Sequence, residues 1–161
     1  MSTVICPGTF DPVTNGHLDV IFRAAQMYEK VIVGVAKDSS KKPFFSLEER
    51  ISFIEDEISG KNNIEVESFD SLVVKFANKH QAKAIIKGLR AVSDFEHEFQ
   101  MAQLNKRLAE KVETVFIMAT PKYAYLSSSA VKEIASFGGD ISGLVPKKVK
   151  SRLQARNGVG G

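Results

Sequence analysis

The chain has 161 residues, of which 43% are hydrophobic and 25% charged, the proportions of a single globular domain. Its 22 basic and 19 acidic side chains are interspersed and leave a net charge of +3, whereas a nucleic-acid-binding protein usually carries a clustered basic face. No apolar run is long enough to span a membrane, no signal-peptide pattern is present, and a single cysteine excludes an internal disulfide. We therefore expect a cytoplasmic protein with small-molecule partners, which binds neither nucleic acid nor membrane.

Strand and helix signals alternate along the chain. Apolar runs typical of strands recur at residues 3–6, 31–36, 64–68, 84–87 and 114–118. Helical patterns lie between them, at residues 18–28, 46–58, 72–80 and 93–110, and the second begins with a capping box of Ser46 and Glu49.

Strands that are apolar on both faces and separated by helices predict a parallel sheet that is covered on both sides. We expect a single α/β domain over residues 1–156, with three layers, about five parallel strands and helices on both faces. Residues 157–161 form a glycine-rich tail, which we expect to be disordered.

The loop after the first strand reads PGTFDPVTNGH, residues 7–17. In open α/β sheets, ligands bind beyond the carboxyl ends of the strands, so this loop is a candidate binding element. It matches neither the G-x-G-x-x-G pattern nor the phosphate loop that ends in Gly-Lys-Ser/Thr. Asn15 or Thr14 can cap a helix that begins near Gly16, whose first amide groups then form an anion site. His17, in the first turn, adds an imidazole donor.

These residues carry a resemblance to a known family. TNGH resembles the [HT]-x-G-H signature of the nucleotidyltransferase superfamily, and PGTFDPVTNGH resembles the first motif of the bacterial phosphopantetheine adenylyltransferase family. The resemblance continues, in the family's order and spacing, in SKKPFFSLEER (40–50), IIKGLRAVSDFEHEFQMAQLN (85–105) and LSSSAVKE (126–133).

The resemblance implies a Rossmann-like fold and an enzyme of coenzyme A biosynthesis. Such an enzyme transfers the adenylyl group of ATP to 4′-phosphopantetheine and releases dephospho-coenzyme A and pyrophosphate. The acceptor phosphate attacks the α-phosphorus directly, so catalysis should consist of positioning and electrostatic stabilisation.

On this resemblance, His17 is the transition-state donor and meets the α-phosphate together with Thr9. The ATP-binding residues are expected to be Thr9, Phe10, His17, Gly88, Leu89, Arg90, Glu98, Tyr123, Ala124, Tyr125, Leu126, Ser127, Ser128 and Ser129. The three serines precede a helical run, so they can cap it while their hydroxyl and amide groups face phosphate. His97 stands where the family often carries tyrosine and receives no role.

The acceptor side is expected to consist of Thr9, Lys41, Leu72, Val73, Lys87 and Asn105. Lys41 matches the family's acceptor-phosphate lysine, and the alignment of SKKP favours it over Lys42. Lys87 stands where many members carry arginine; a lysine keeps the charge but loses the bidentate geometry. Leu72 and Val73 suit the amide and alkyl arm of pantetheine, with ordinary core packing as the alternative.

Further partners follow from the same resemblance. Mg²⁺ is expected to arrive with ATP and to be held mainly by its phosphates and water, because the sequence shows no metal-ligand signature in the protein. The family implies a homo-oligomer, typically a hexamer, and coenzyme A is a possible feedback ligand.

Two alternative functions are weighed against the sequence. One is an enzyme of the same superfamily with another phosphorylated acceptor, which Lys41, Val73 and Lys87 disfavour. The other is a nucleotide-sensing domain without turnover, which the intact His17 and the cationic loops disfavour.

Overall fold

The computed structural model describes residues 2–37 and 42–158, without the side chains of residues 92 and 93. The strands in these residues are β1 (Thr3–Gly8), β2 (Lys30–Ala36), β3 (Ile64–Phe69), β4 (Ala84–Leu89) and β5 (Glu113–Met118). The α-helices are α1 (Asn15–Met27), α2 (Leu47–Ile58), α3 (Val73–Lys79), α4 (Val92–Leu108), α5 (Ser128–Ser136) and α6 (Lys147–Arg156). A 3₁₀ turn occupies Pro121–Tyr123. Of the expected tail, residues 159–161 lie outside the described part.

The strands form one parallel sheet in the order β3-β2-β1-β4-β5, which confirms the predicted α/β fold. The chain passes outward from β1 to β3 on one side and then returns to place β4 on the other side of β1. The carboxyl ends of β1 and β4 therefore border the topological switch point, where ligands bind in sheets of this kind.

Apolar side chains cover both faces of the sheet. Along β1, Val4 and Cys6 belong to the larger buried cluster, whereas Ile5 belongs to the smaller one on the opposite face. Helices α1, α2, α5 and α6 contribute to the larger cluster, and α3 contributes to the smaller one. Alternation of side chains along buried strands produces these two layers.

Two helices begin at capping residues that the sequence predicts. Ser46 Oγ accepts a hydrogen bond from the Glu49 amide at 3.1 Å, and the Ser46 amide donates to the Glu49 carboxylate at 2.9 Å. This capping box opens α2. Of the two predicted cap residues of α1, Thr14 and Asn15, Thr14 is the N-cap, and the helix begins at Asn15.

The last helix, α6, has no counterpart among the predicted elements. Only Val149 and Leu153 of its ten residues are buried, and lysine and arginine dominate the remainder. Two apolar positions one turn apart are too weak a periodic pattern to predict a helix.

Candidate active site

A cavity of about 350 Å³ opens at the carboxyl ends of β1 and β4. Its walls come from the first loop, the N-terminal turns of α1 and α5, and the segment that joins β4 to α4. The residues named from the sequence that line it are Phe10, His17, Lys87, Gly88, Arg90, Glu98, Tyr123, Leu126, Ser127, Ser128 and Ser129.

His17 completes the capping box of α1 and also lines the cavity. Its backbone amide donates to Thr14 Oγ1 at 3.3 Å, and its ring Nδ1 accepts from the Thr14 amide at 2.9 Å. The histidine thus takes the third-position role that Glu or Gln fills in a capping box. Because Nδ1 is an acceptor, the proton of the neutral ring is on Nε2, which is the ring's donor.

The environment of His17 keeps its ring neutral. Burial, followed by the positive charges of Arg90 and Lys87, lowers the pKa of His17 from 6.5 to about 4. Phe10 contributes an edge-on ring contact, with the two ring centroids 5.1 Å apart. At neutral pH the cavity therefore contains an uncharged imidazole that can donate a hydrogen bond without losing a proton.

We predict that His17 in the ligand-free protein stays neutral as the pH falls from 8 to 5, since its pKa is near 4. NMR of the imidazole nitrogens should report the Nε2–H tautomer throughout this range. The unfolded chain takes up this proton near pH 6.5, so His17 lowers the free energy of unfolding progressively from about pH 6.5 toward pH 4. A titration midpoint near 6.5 in the folded protein would contradict the assignment.

Two cations lie on the β4 side of the cavity. Arg90 donates through Nη1 to the Leu126 carbonyl at 2.8 Å and through Nε to Asp94 at 3.2 Å. The Lys87 ammonium lies 3.7 Å from the Glu98 carboxylate. Arg90 therefore joins the end of β4 to the segment before α5, while Glu98 is the counter-ion of Lys87.

The N-terminus of α5 is held at the same cavity by its serines. Ser127 is the cap residue, because its Oγ accepts from the Ala130 amide at 3.1 Å. Ser128 Oγ donates to the Pro12 carbonyl at 2.7 Å, which attaches α5 to the first loop. The prediction that these serines cap the helix is confirmed for Ser127. Two helix N-termini, those of α1 and α5, thus border one cavity, and each favours an anion.

Two glycines allow close packing around the cavity. A Cβ on Gly8 would lie 3.0 Å from the Phe10 ring, and a Cβ on Gly88 would lie 3.1 Å from Val20 Cγ2 of α1. Phe10 itself has a positive φ of 49°, a conformation that is uncommon outside glycine and is typical of functional sites.

Cys6 also lines the cavity but is a poor candidate nucleophile. Burial raises the pKa of its thiol to about 12, against a smaller opposing effect of Lys87. In residues 2–37 and 42–158, no group of three or more His, Cys, Asp or Glu side chains could hold a metal ion.

Some residues predicted for ATP lie outside the lining of the cavity. The Thr9 carbonyl accepts from Arg50, and Leu89 borders a neighbouring hollow. Ala124 and Tyr125 follow the 3₁₀ turn, and the Tyr125 side chain is 96% exposed. Their proposed contacts with ATP stay predictions.

Of the predicted acceptor residues that the structure describes, Lys87 lines the cavity and the others do not. Leu72 occupies the N-cap position of α3 without a side-chain cap and is 55% exposed, while Val73 packs against the smaller core cluster. Asn105 lies in α4, away from the cavity lining, and Lys41 lies outside the described residues. These assignments also stay predictions.

Two buried charged residues, Asp11 in the first loop and Arg50 in α2, were missed in the sequence. Asp11 is 7% exposed and Arg50 is 1% exposed. Arg50 stands inside the SLEER motif, where it is adjacent to the capping box, and two of its partners, Thr9 and Ala36, are 41 and 14 positions away. The TFDP run could have drawn attention to Asp11, but nothing local predicts what it binds.

A search of the described helices finds none that is both long and apolar enough to cross a membrane.

Comparisons with known proteins identify the family of the chain. Residues 5–134 match the family model described as cytidylyltransferase-like. A phosphopantetheine adenylyltransferase of Caldanaerobacter subterraneus subsp. tengcongensis is 53% identical over 97% of this chain and 98% of its own length. One of Clostridium perfringens (strain SM101 / Type A) is 51% identical over 97% of this chain and 95% of its own length.

Among solved structures, a crystal structure from Vibrio parahaemolyticus, assigned as a nicotinate-nucleotide adenylyltransferase, has a TM-score of 0.69 at 15% identity. The match covers 99% of this chain and 95% of the other, and it supports the fold alone. The family assignment comes from the sequence relatives, which share half of their residues with this chain over nearly the full length. The chain belongs to the phosphopantetheine adenylyltransferase family, within the cytidylyltransferase-like nucleotidyltransferases.

Proposed function

We propose that this chain transfers the adenylyl group of ATP to 4′-phosphopantetheine, with dephospho-coenzyme A and pyrophosphate as products. The observation that carries the proposal is the convergence of a neutral histidine, two cations and two helix N-termini on one cavity. Family membership supplies the identity of the acceptor.

The proposed binding site for ATP is the part of the cavity that the positive N-terminal end of α5 and Arg90 line. The triphosphate suits the Ser127–Ser129 turn, where the N-terminus of α5 borders the cavity next to the Arg90 guanidinium. The remaining contacts with ATP are assigned to Thr9, Phe10, His17, Gly88, Leu89, Glu98, Tyr123, Ala124, Tyr125 and Leu126.

In the proposed reaction, an oxygen of the acceptor phosphate attacks the α-phosphorus. A new P–O bond forms, and the bond to the bridging oxygen of pyrophosphate breaks, with its electron pair leaving on pyrophosphate. Negative charge on the equatorial oxygens is stabilised by Nε2–H of His17 and by the nearby cations. No enzyme group needs to exchange a proton or form a covalent bond.

The acceptor side is assigned to Thr9, Lys41, Leu72, Val73, Lys87 and Asn105. Lys87 lies in the cavity with Glu98 beside it, so it can attract a phosphate while the carboxylate limits its movement. Leu72 exposes an apolar side chain at the start of α3, which suits the pantetheine arm.

Mg²⁺ is proposed to enter with ATP and to neutralise part of the phosphate charge. The carboxylate that lines the cavity, Glu98, already faces Lys87, which fits an ion held by phosphates and water rather than by a protein cage. The protein's part is to bind and orient the phosphates around it.

The experiment that tests this function measures pyrophosphate release from Mg-ATP with two acceptors in parallel, 4′-phosphopantetheine and nicotinate mononucleotide. The proposal predicts release with phosphopantetheine only. Release with the mononucleotide only would retain the chemistry and refute the acceptor. Folded protein that binds ATP but releases no pyrophosphate with either would favour a nucleotide-sensing role.

A homohexamer in the cytoplasm, with coenzyme A as a feedback ligand of the same cavity, completes the proposal. Helix α4 supports self-association, because Phe99, Leu104 and Leu108 are about half exposed or more although they are apolar. We predict a hexamer mass by light scattering and a smaller species for Leu104→Glu. Lys61→Glu, a change on the turn after α2, should leave the mass unchanged; a monomeric wild-type protein would contradict the hexamer.

A further inference from the structure

Two buried charged residues, Asp11 of the first loop and Arg50 of α2, have no role in the proposed chemistry. Among the described residues, the buried polar or charged side chains are Asp11, Thr14 and Arg50. Thr14 is explained by the cap of α1. Burying a charge is costly unless it is fully hydrogen-bonded, so the partners of Asp11 and Arg50 indicate what the two residues do.

Asp11 binds the segment that precedes α2. Its Oδ2 accepts from the Phe44 amide at 2.7 Å, and its Oδ1 accepts from the Phe45 amide at 2.8 Å. Lys132 of α5 lies 3.3 Å from Oδ2. One carboxylate therefore joins the first loop to the 44–45 segment and to the helix whose N-terminus borders the cavity.

The described hydrogen-bond partners of Arg50 are backbone carbonyls. Its Nη1 donates to the Thr9 carbonyl at 2.8 Å and to the Ala36 carbonyl at 2.9 Å, and its Nε donates to the Phe45 carbonyl at 3.3 Å. In the part of the chain that the structure describes, this guanidinium has no carboxylate within ion-pair distance. Its position is set by the ends of β1 and β2 and by Phe45.

The two residues are thus complementary: Asp11 holds the amides of the 44–45 segment, and Arg50 holds a carbonyl of the same segment together with the ends of two strands. On the first loop, they fix the residues on both sides of Phe10, whose ring lines the cavity and contacts His17.

We propose that Asp11 and Arg50 are positioning residues for the chemical step: they fix the first loop, with its Phe10–His17 contact, against the segment that leads into α2. The inference rests on the proposed reaction and adds residues that touch neither substrate.

We expect the rate to change more than the binding of ATP, because among the described residues Arg90 and Glu98, on the β4–α4 side of the cavity, make none of their contacts through this pair. The pair reaches α5 through the contact between Asp11 and Lys132, whereas the cap of that helix at Ser127 does not depend on it.

The test compares Asp11→Asn and Arg50→Lys with wild type for kcat, for KM of each substrate and for Tm. Asparagine keeps the shape but presents an NH₂ group to one of the two amide donors, and lysine keeps the charge but loses the forked donors. We expect kcat/KM for 4′-phosphopantetheine to fall about 10- to 100-fold, as for misplacement of a reacting group by about 1 Å. The KM for ATP should change less than about threefold on the same reasoning.

Asn63→Ala is the matched control. The Asn63 side chain donates to the Ala25 carbonyl at 2.8 Å and so joins two segments in the same manner, but at the opposite end of the sheet. It should lower Tm and leave both KM values unchanged. If Arg50→Lys does not fold, Asp11→Asn alone decides the outcome.

The outcomes separate this inference from the proposed function. Active wild type with an unchanged acceptor kcat/KM in Asp11→Asn would overturn the positioning role only. The positioning role would also be overturned if Asn63→Ala reduced kcat/KM for 4′-phosphopantetheine as much as Asp11→Asn does. The loss of activity would then result from the lower stability of either variant. Wild-type protein that releases no pyrophosphate with phosphopantetheine would overturn the proposed function and this role with it.

Discussion

Substitution of His17 by asparagine is expected to lower kcat by about 10²- to 10³-fold while Tm stays near the wild-type value. The ring of His17 has two roles, since Nδ1 accepts from the amide of the cap residue Thr14 and Nε2–H is the donor that remains. The side-chain oxygen of asparagine is as many bonds from the backbone as Nδ1 and can accept the same hydrogen bond, whereas the short amide leaves no donor at the position of Nε2. The variant therefore isolates the catalytic role.

His17→Ala removes both roles and is the companion variant. Its kcat should fall as far as that of the asparagine variant, and it should also lose about 1 kcal/mol of stability with the cap. Steady-state kinetics and thermal unfolding measure the two effects separately. If His17→Asn retained near-normal kcat, His17 would be a structural cap and not the transition-state donor.

Arg90→Ala is expected to weaken the use of ATP more than any other single change on the β4 side. The guanidinium lines the cavity and also donates to the Leu126 carbonyl, so its loss removes a charge and frees the segment before α5. Truncation of a hydrogen-bonded charge costs about 2–5 kcal/mol, which corresponds to roughly 30-fold or more in kcat/KM for ATP.

Two variants show whether this effect is specific. Arg90→Lys should recover part of the loss, because lysine keeps the charge without the planar donor geometry. Arg152→Ala removes an exposed arginine of α6, 3.6 Å from Glu49, and should leave the kinetics with ATP unchanged. An unchanged KM for ATP and an unchanged kcat in Arg90→Ala would exclude Arg90 from the ATP site.

The fold was predictable because its signals are local. Runs of β-branched residues that are apolar on both faces predict buried parallel strands, and the five predicted runs each fall within an observed strand. The box of Ser46 and Glu49 spans one turn, so its hydrogen bonds follow from the sequence alone. Helix α6 was not predictable in this way, because it buries only Val149 and Leu153 and is otherwise basic.

The residues that meet in the cavity were predictable in part, because the topology of the sheet brings their loops together. The loops after β1, β4 and β5 could be placed at one edge of the sheet, so the meeting of His17, Lys87, Arg90 and the serines follows from topology. The hydrogen bonds of Asp11 and Arg50 join residues 33 and 41 positions apart, and no local pattern specifies such pairs. The cap role of His17 was hidden because this position of a capping box is usually Glu or Gln.

The most direct test of adenylyl transfer without an enzyme-bound intermediate is the stereochemistry at the α-phosphorus. ATP made chiral at that phosphorus by sulfur substitution would be the donor, 4′-phosphopantetheine the acceptor, and ³¹P NMR of the product the readout. A single in-line attack in the cavity beside His17 predicts inversion of configuration. Retention would require two successive displacements through a covalent enzyme adenylate, and it would contradict direct transfer.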